Sequence, residues 1–189
     1  IIFNQQKSTA IVDKFGKWKV SFPALSSGGT YQMTVKCKDK SIVLKNIVIG
    51  DVWFCSGQSN MLFELKKSKN GKEEAKQANA NSNIRLFNSK ILRDTDDTAW
   101  DSITMAKTNQ LEFFSGKWAV CDSITAKDFS AIAYYFGKKI ALEENVPVGL
   151  IQVAVGGSPI ESWIDRYTLE HDDKVVDVLT NWRKSDFMM

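Results

Sequence analysis

The sequence predicts an α/β fold in which a small antiparallel β module, residues 1–49, precedes a parallel sheet, residues 50–189. In the first segment apolar side chains alternate with polar ones, and turn residues interrupt the alternation. In the second, continuous apolar runs of strand length are separated by helical patterns, which indicates buried strands joined by crossovers. The 189 residues suffice to bury a sizeable core.

The β module is predicted from three alternating stretches. Trp18, Val20 and Phe22 lie on one face of the first, and "TYQMTV" and "SIVLKNIVI" follow it. The turn sequences "SSGGT" and "KDK" separate the stretches. About four strands are expected, and because so small a sheet normally needs a second layer, we expect the module to be truncated at its N-terminus.

The parallel sheet is predicted from three buried strands: "VWFC" after Gly50, "NIRLFN" ending at Asn88, and "VGLIQVAV" from Val148 to Val155. Between the first two strands, "NMLFELKKSK" can start a helix, and a polar segment from Lys72 to Ala80 is a second helix candidate. The stretch Ser89–Lys127 is expected to be irregular, and it contains the tetrapeptide "DSIT" twice.

The clearest helix precedes the third strand. Asp128 or Ser130 is expected to cap its start, and Asn145 with Pro147 to end it. Its apolar residues recur at spacings of three and four: Phe129, Ile132, Ala133, Phe136 and Ile140.

Two strand ends carry unusual chemistry, Ser56-Gly57-Gln58-Ser59-Asn60 and Gly156-Gly157-Ser158. The carboxyl ends of parallel strands border the functional crevice of α/β sheets. A serine there has an exposed hydroxyl and a free backbone N–H, as a nucleophile that creates an oxyanion needs, and glycines leave further N–H groups accessible. The alternative is that the serine is only a helix cap and the glycines only a tight turn.

Two further patterns qualify these turns. "GQSNM" is not the G-x-S-x-G elbow of α/β hydrolases, because Met61 replaces the second glycine. After the glycine pair, Ser158, Pro159 and Glu161 are spaced as a capping box with proline in the first helical position.

Cysteine and histidine usage restricts the chemistry further. Cys37, Cys55 and Cys121 fit neither a disulfide framework nor a paired metal-ligand spacing, and we expect all three to be buried. The one histidine, His171, excludes a metal site built on several imidazoles, and neither a metal nor another cofactor is expected. A net charge of +3 and apolar runs well short of about 20 residues indicate neither a nucleic-acid nor a membrane partner.

The quoted motifs resemble the sialate O-acetylesterase family, a branch of the SGNH-type hydrolases. The segments "GDVWFCSGQSNM", "NIRLF", "FSAIAYYFGKKI" and "VPVGLIQVAVGGSPIESWI" occur in family order, and "DKFGKWKVSFPALSSGGTYQMTV" is similar to the β module that precedes the esterase domain. The resemblance covers about Gly16 to Ile164. It implies a three-layer SGNH-hydrolase-like sheet, incomplete here, and a cofactor-free serine esterase that removes O-acetyl groups from carbohydrates, with sialic acid as the expected sugar.

By this resemblance Ser59 is the catalytic nucleophile and attacks through an acyl-enzyme mechanism. The oxyanion hole is implied to use the backbone N–H of Ser59 and that of a glycine, with Gly157 slightly favoured over Gly156. Gln58, Asn60 and Glu161 also match the motifs, and we expect them to shape the turn and the cap.

The sequence departs from the family after these motifs. The family places a third oxyanion donor in a later Gln-Gly-Glu motif, and its acid and histidine near the C-terminus; none of these segments is present here. His171 matches no catalytic motif and is expected on the solvated surface. Because a general base contributes about 10²- to 10⁴-fold, this chain by itself is expected to be inactive, with its C-terminal part either a separate chain or absent.

Another class of function stays open on the sequence alone. Trp100 and Trp118 lie in the stretch expected to be irregular, and exposed aromatic rings stack on sugars, so a carbohydrate-binding or scaffold protein without esterase activity is the alternative. The N-terminal residues lack a signal-peptide pattern. Because such glycans lie outside the cytoplasm, we expect a periplasmic or secreted protein with its signal peptide upstream.

Overall fold

The computed structural model describes residues 1–79, 83–92, 100–110 and 112–177. Its strands are β1 (Ile2–Phe3), β2 (Gln6–Lys7), β3 (Gly28–Cys37), β4 (Lys40–Ile49), β5 (Asp51–Gly57), β6 (Ile84–Asn88), β7 (Lys90–Ile91), β8 (Phe114–Ser115), β9 (Trp118–Val120) and β10 (Val148–Ala154). Its α-helices are α1 (Ser59–Leu62), α2 (Gly71–Gln77), α3 (Ser102–Asn109), α4 (Ser123–Lys127), α5 (Ala131–Glu143) and α6 (Arg166–His171). Short 3₁₀ helices cover Leu65–Lys67 and Ile160–Trp163. None of the described helices has the length and apolar character to cross a bilayer.

The N-terminal segment forms the antiparallel sheet that the sequence predicts, in the order β2-β1-β3-β4. The predicted strand around Trp18 and Val20 is wrong, because residues 8–27 contain no strand. Phe22 instead packs its ring on Phe3, with the ring centroids 5.5 Å apart. Phe22 therefore contacts the sheet through its side chain and not through backbone pairing.

The main sheet has the order β5-β10-β6-β9. The central strand β10 pairs in parallel with β5 and with β6, which confirms the predicted parallel sheet and the α/β fold. The fourth strand, β9, pairs antiparallel to β6 and was not predicted. Its three residues are too few to show alternation, and contact between the rings of Trp118 and Phe87, 5.4 Å apart, accompanies the pairing.

Helix α5 packs on the face of β10 that carries Leu150. Ser130 is its N-cap, accepting a hydrogen bond from the Ala133 N–H at 3.2 Å, so of the two predicted caps the structure selects the serine. The Ser130 N–H in turn donates to Oε1 of the buried Gln152 at 2.6 Å. This bond attaches the start of the helix to the central strand. On the opposite face of the sheet, Val52 and Phe54 are 62% and 65% exposed.

The stretch Ser89–Lys127 is more regular than predicted, because it contains α3, α4 and three short strands. The two "DSIT" copies begin the two helices. Asp101 accepts a hydrogen bond from the Thr104 N–H, and Asp122 accepts from the N–H groups of Ile124 and Thr125, each as the N-cap. The helices are therefore specified by capping, which an apolar periodicity does not reveal.

The prediction of three buried cysteines is correct for Cys55 and Cys121 and wrong for Cys37. Cys37 is the last residue of β3, beside the turn to β4, where the narrow N-terminal sheet leaves it exposed. Cys55 lies in the core, and burial raises the pKa of its thiol.

We predict that Gly137→Ala destabilises the protein. A β-carbon at this position in α5 would lie 2.5 Å from Cδ1 and 3.0 Å from Cγ of Leu150, which is fully buried, so the whole side chain would have to move. Overpacking costs about 1–3 kcal/mol, whereas alanine gains about 1 kcal/mol in helix propensity, so the free energy of unfolding should fall by up to about 2 kcal/mol.

Urea unfolding monitored by circular dichroism measures the change. The control is Lys139→Ala, an exposed position of the same helix, which should change stability by less than about 0.5 kcal/mol. A Gly137→Ala protein that is more stable than the wild type, by the full propensity gain of about 1 kcal/mol, would show that the helix does not approach β10 this closely.

Candidate functional site

Two turns meet at the carboxyl ends of β5 and β10. The strands pair in register up to Gly57 and Ala154, and the Val155 N–H continues the pairing with a 3.1 Å hydrogen bond to the Gly57 carbonyl oxygen. The chain therefore leaves both strands at the same edge of the sheet. The Ser-Gly-Gln-Ser-Asn turn and the Gly-Gly-Ser turn lie side by side, as expected for the ends of parallel neighbours.

The Gln58 side chain connects the two turns directly. Its Nε2 donates a hydrogen bond to the backbone carbonyl oxygen of Ser158, one hundred residues later in the chain. Because Gln58 immediately precedes Ser59, this bond orients the serine turn against the glycine turn.

Ser59 is exposed and is the first residue of α1. Among the described residues, none accepts a hydrogen bond from its backbone N–H. Asn60 follows it, is also exposed, and accepts a long 3.4 Å hydrogen bond from the Phe63 N–H. The site thus combines an exposed serine with a backbone N–H that has no acceptor among the described residues.

The helix after Ser59 is shorter than the sequence predicts, because the chain leaves it to bury Leu65. The Leu65 N–H donates to the Phe129 carbonyl oxygen, and the Ala131 N–H donates to the Phe63 carbonyl oxygen, both at 2.8 Å. Leu65 is fully buried as a result. These bonds hold the end of α1 against the start of α5.

The glycine turn has space where a side chain would be attached to either glycine. Gly157 has φ +78°, and a β-carbon there would meet nothing within 4 Å. A β-carbon on Gly156 would lie 3.6 Å from Cδ2 of Leu62, in α1. Gly156 therefore lies against the helix that Ser59 begins, while Gly157 borders open space.

The predicted capping box after the glycines is wrong. The Ser158 hydroxyl donates to the Val155 carbonyl oxygen at 2.8 Å and accepts from Nε1–H of Trp163 at 2.9 Å. The helix that follows is a 3₁₀ helix whose N-cap is Pro159, without a side-chain cap hydrogen bond, so Glu161 makes no reciprocal cap. The Ser158 hydroxyl oxygen accepts a hydrogen bond from the Trp163 indole N–H and not from a backbone N–H of the helix.

A polar cavity of about 880 Å³ lies beside the glycine turn, where Gly156 lines it, and Leu62 at the end of α1 lines it as well. Charged side chains line it, with Lys66 bridging Asp128 at 2.7 Å and Glu64 at 3.3 Å, and Lys67 pairing with Glu64 at 2.7 Å. The hydrogen bond from Lys67 lowers the pKa of Glu64, and the bond to Asp128 raises the pKa of Lys66. Both shifts favour the charged forms, so these ion pairs persist at neutral pH. Lys90 lines the same cavity.

A second cavity of about 370 Å³ lies on the other side of the glycine turn. Apolar and aromatic residues dominate its wall, including Phe114, Pro159 and Trp163. Gly156 borders both cavities, so the turn separates a charged space from an apolar one.

His171 is not brought to either cavity. Its exposed ring stacks on Tyr167 with centroids 4.3 Å apart, and its Nδ1 lies 2.9 Å from the Tyr167 carbonyl oxygen. Within the described ranges, no group of three or more histidine, cysteine or acidic side chains could hold a metal ion.

Sequence reasoning did not identify the residues that shape the two cavities. Lys66 and Asp128 are 62 positions apart, and no spacing pattern links them. Trp163 stands in the segment "GGSPIESW" of a quoted motif. Its position in the sequence did not indicate that its indole N–H donates to the Ser158 hydroxyl.

Comparison with known proteins gives a consistent picture. The family model described as "Carbohydrate esterase, sialic acid-specific acetylesterase" matches residues 49–184. The mouse sialate O-acetylesterase is 25% identical over 172 residues, covering 87% of this chain and 30% of the relative. The human sialate O-acetylesterase is 25% identical over 165 residues, covering 84% of this chain and 30% of the relative.

A solved structure shares the fold. The crystal structure of a carbohydrate acetylesterase from Xanthomonas citri superimposes with a TM-score of 0.73 at 27% sequence identity, covering 90% of this chain and 36% of that one. The chain thus spans about a third of the length of these proteins.

Proposed function

The chain belongs to the family of sialic acid-specific acetylesterases, which are carbohydrate esterases, and from this premise we propose that the full-length protein removes O-acetyl groups from carbohydrates. Sialic acid is the proposed sugar. The observation that carries the proposal is the exposed Ser59 hydroxyl beside an open glycine turn, with Gln58 tying the two turns together.

The proposed reaction begins with attack of Ser59 Oγ on the acetyl carbonyl carbon. Negative charge develops on the carbonyl oxygen, and the backbone N–H groups of Ser59 and Gly157 are proposed to stabilise it. Collapse of the tetrahedral intermediate releases the sugar hydroxyl and leaves an acetyl-enzyme, which water then hydrolyses to acetate. Asn60 and Gln58 are proposed to support the turn.

The proton of the Ser59 hydroxyl needs an acceptor, and the described contacts of the His171 ring are with Tyr167 rather than with the serine turn. We propose that the base and its acidic partner come from a later segment of the full-length protein, as in the family pattern. This agrees with the part that the chain covers, about 30% of its curated relatives.

The polar cavity supports a sugar as the leaving group. Ion-paired side chains along its wall offer both donors and acceptors to sugar hydroxyls. Three lysines, Lys66, Lys67 and Lys90, line it against the two acids Glu64 and Asp128, which leaves a net positive charge. That balance favours an anionic sugar, and sialic acid carries a carboxylate. Because such glycans are displayed outside the cytoplasm, we propose a periplasmic or secreted location.

Replacement of Ser59 by alanine should abolish esterase activity. Removing a catalytic serine lowers kcat by about 10⁴-fold or more, because no other group forms the acyl-enzyme. Release of p-nitrophenol from p-nitrophenyl acetate by the full-length protein measures the loss. Ser123→Ala is the matched control, since Ser123 is an exposed serine that begins α4 as Ser59 begins α1, and its activity should equal that of the wild type.

Retained turnover in the Ser59→Ala protein would remove Ser59 from the proposed role. Glycan binding by that variant, combined with no esterase activity in the wild type, would favour a carbohydrate-binding protein instead.

Gly157→Ala should lower kcat by about 10²- to 10³-fold, because a methyl group would occupy the open space beside the oxyanion donor. Gly16 provides a matched control: it has the same φ of +78°, and a β-carbon there also meets nothing within 4 Å. Both alanine variants therefore carry similar backbone strain, and similar thermal shifts are expected. Equal activity in the two variants would exclude the Gly157 amide from oxyanion binding.

A further inference from the structure

The apolar cavity beside the glycine turn has a defined wall. Phe114 in β8 and Trp163, at the end of the 3₁₀ helix, both line it, and Gly156 and Gly157 line it from the glycine turn. Its volume is about 370 Å³. Nothing in the proposed reaction has yet used this space.

Trp163 is held in place relative to the turn. Its Nε1–H donates to the Ser158 hydroxyl at 2.9 Å, and that hydroxyl donates to the Val155 carbonyl oxygen at 2.8 Å. The Ser158 carbonyl oxygen also accepts the Gln58 bond. The half-buried indole is thus connected through Ser158 to the residue that precedes Ser59.

The two cavities suit different parts of an ester. A sugar hydroxyl loses hydrogen bonds with water on burial and needs polar partners, which the charged cavity offers. An acyl chain gains from leaving water and needs no polar partner, which the apolar cavity matches. Because Gly156 borders both spaces, an ester carbonyl at this turn could extend one part into each.

We propose that the cavity between Phe114 and Trp163 binds the acyl part of the substrate, and that Trp163 is the specificity-determining residue that sets the acyl length. This inference rests on the proposed function and adds a substrate range to it. An acetyl methyl group fills only a small part of the space, so propionyl and butyryl esters are accepted as well.

The test is the chain-length profile of the full-length protein on p-nitrophenyl acetate, butyrate and octanoate. The wild type should hydrolyse butyrate with a kcat/KM within about tenfold of that for acetate, because the cavity has room for the longer chain. A pocket that fitted only acetate would discriminate by about 10- to 200-fold for each added methylene. Trp163→Ala removes the wall and should raise the octanoate-to-acetate ratio of kcat/KM at least about tenfold. Trp163→Phe keeps most of the wall and should retain the wild-type ratio.

A second variant keeps the test decisive if Trp163→Ala does not fold. Phe114→Ala removes another aromatic side chain of the wall, at a residue that is already 40% exposed, and should shift the ratio in the same direction. An active Trp163→Ala or Phe114→Ala protein with the wild-type chain-length ratio overturns the inference. So does a variant that raises only the KM for O-acetylated sialic acid, because the cavity would then hold the sugar. Failure of the proposed function itself is distinguished by a wild type that does not hydrolyse p-nitrophenyl acetate.

Discussion

The parallel pairing of β5 with β10 is the constraint on which the site depends. Seven residue pairs run in register from Asp51↔Val148 to Gly57↔Ala154, so the two strands end level. Side chains alternate between faces, and a slip of one residue would move Cys55 out of the core and separate the two turns along the sheet edge. Only with this register does the Gln58 side chain reach the Ser158 carbonyl oxygen.

Hydrogen bonds among α1, α5 and β10 also hold the sheet edge that carries the two turns. Gln152 of β10 accepts a hydrogen bond from the Ser130 N–H, and the backbone on either side of Ser130 bonds to Phe63 and Leu65 after α1. The end of α1, the start of α5 and the central strand therefore form one hydrogen-bonded unit beneath the serine turn. Ser130 and Gln152 are both almost completely buried. Loss of the hydrogen bond between them would therefore leave a buried polar group without a hydrogen-bond partner.

The sequence revealed those parts of the molecule that depend on continuous apolar runs. Strands β5, β6 and β10 and helix α5 belong to this class, and the strand-end rule then placed Ser59 and the glycine pair next to each other. Elements specified by a single local bond were missed. Helices α3 and α4 depend on the caps Asp101 and Asp122 rather than on a periodic apolar face.

Competition between side chains explains the other differences. Ser158 and Glu161 are spaced as a capping box, but the Ser158 hydroxyl accepts a hydrogen bond from the indole N–H of Trp163, five positions later. The wall of the charged cavity joins residues that are distant in sequence, such as Lys66 and Asp128. Tertiary contacts of this kind leave no trace in the spacing of residues along a single chain.

The bond between Gln58 and Ser158 has a consequence for how the two turns change over evolution. Gln58 reaches a backbone carbonyl, which every amino acid provides, so mutation at position 158 leaves this tie intact while mutation at position 58 removes it. In homologous sequences, positions 58 and 158 are therefore expected to vary independently. The hydroxyl at position 158 instead serves the indole at position 163, so covariation should join those two.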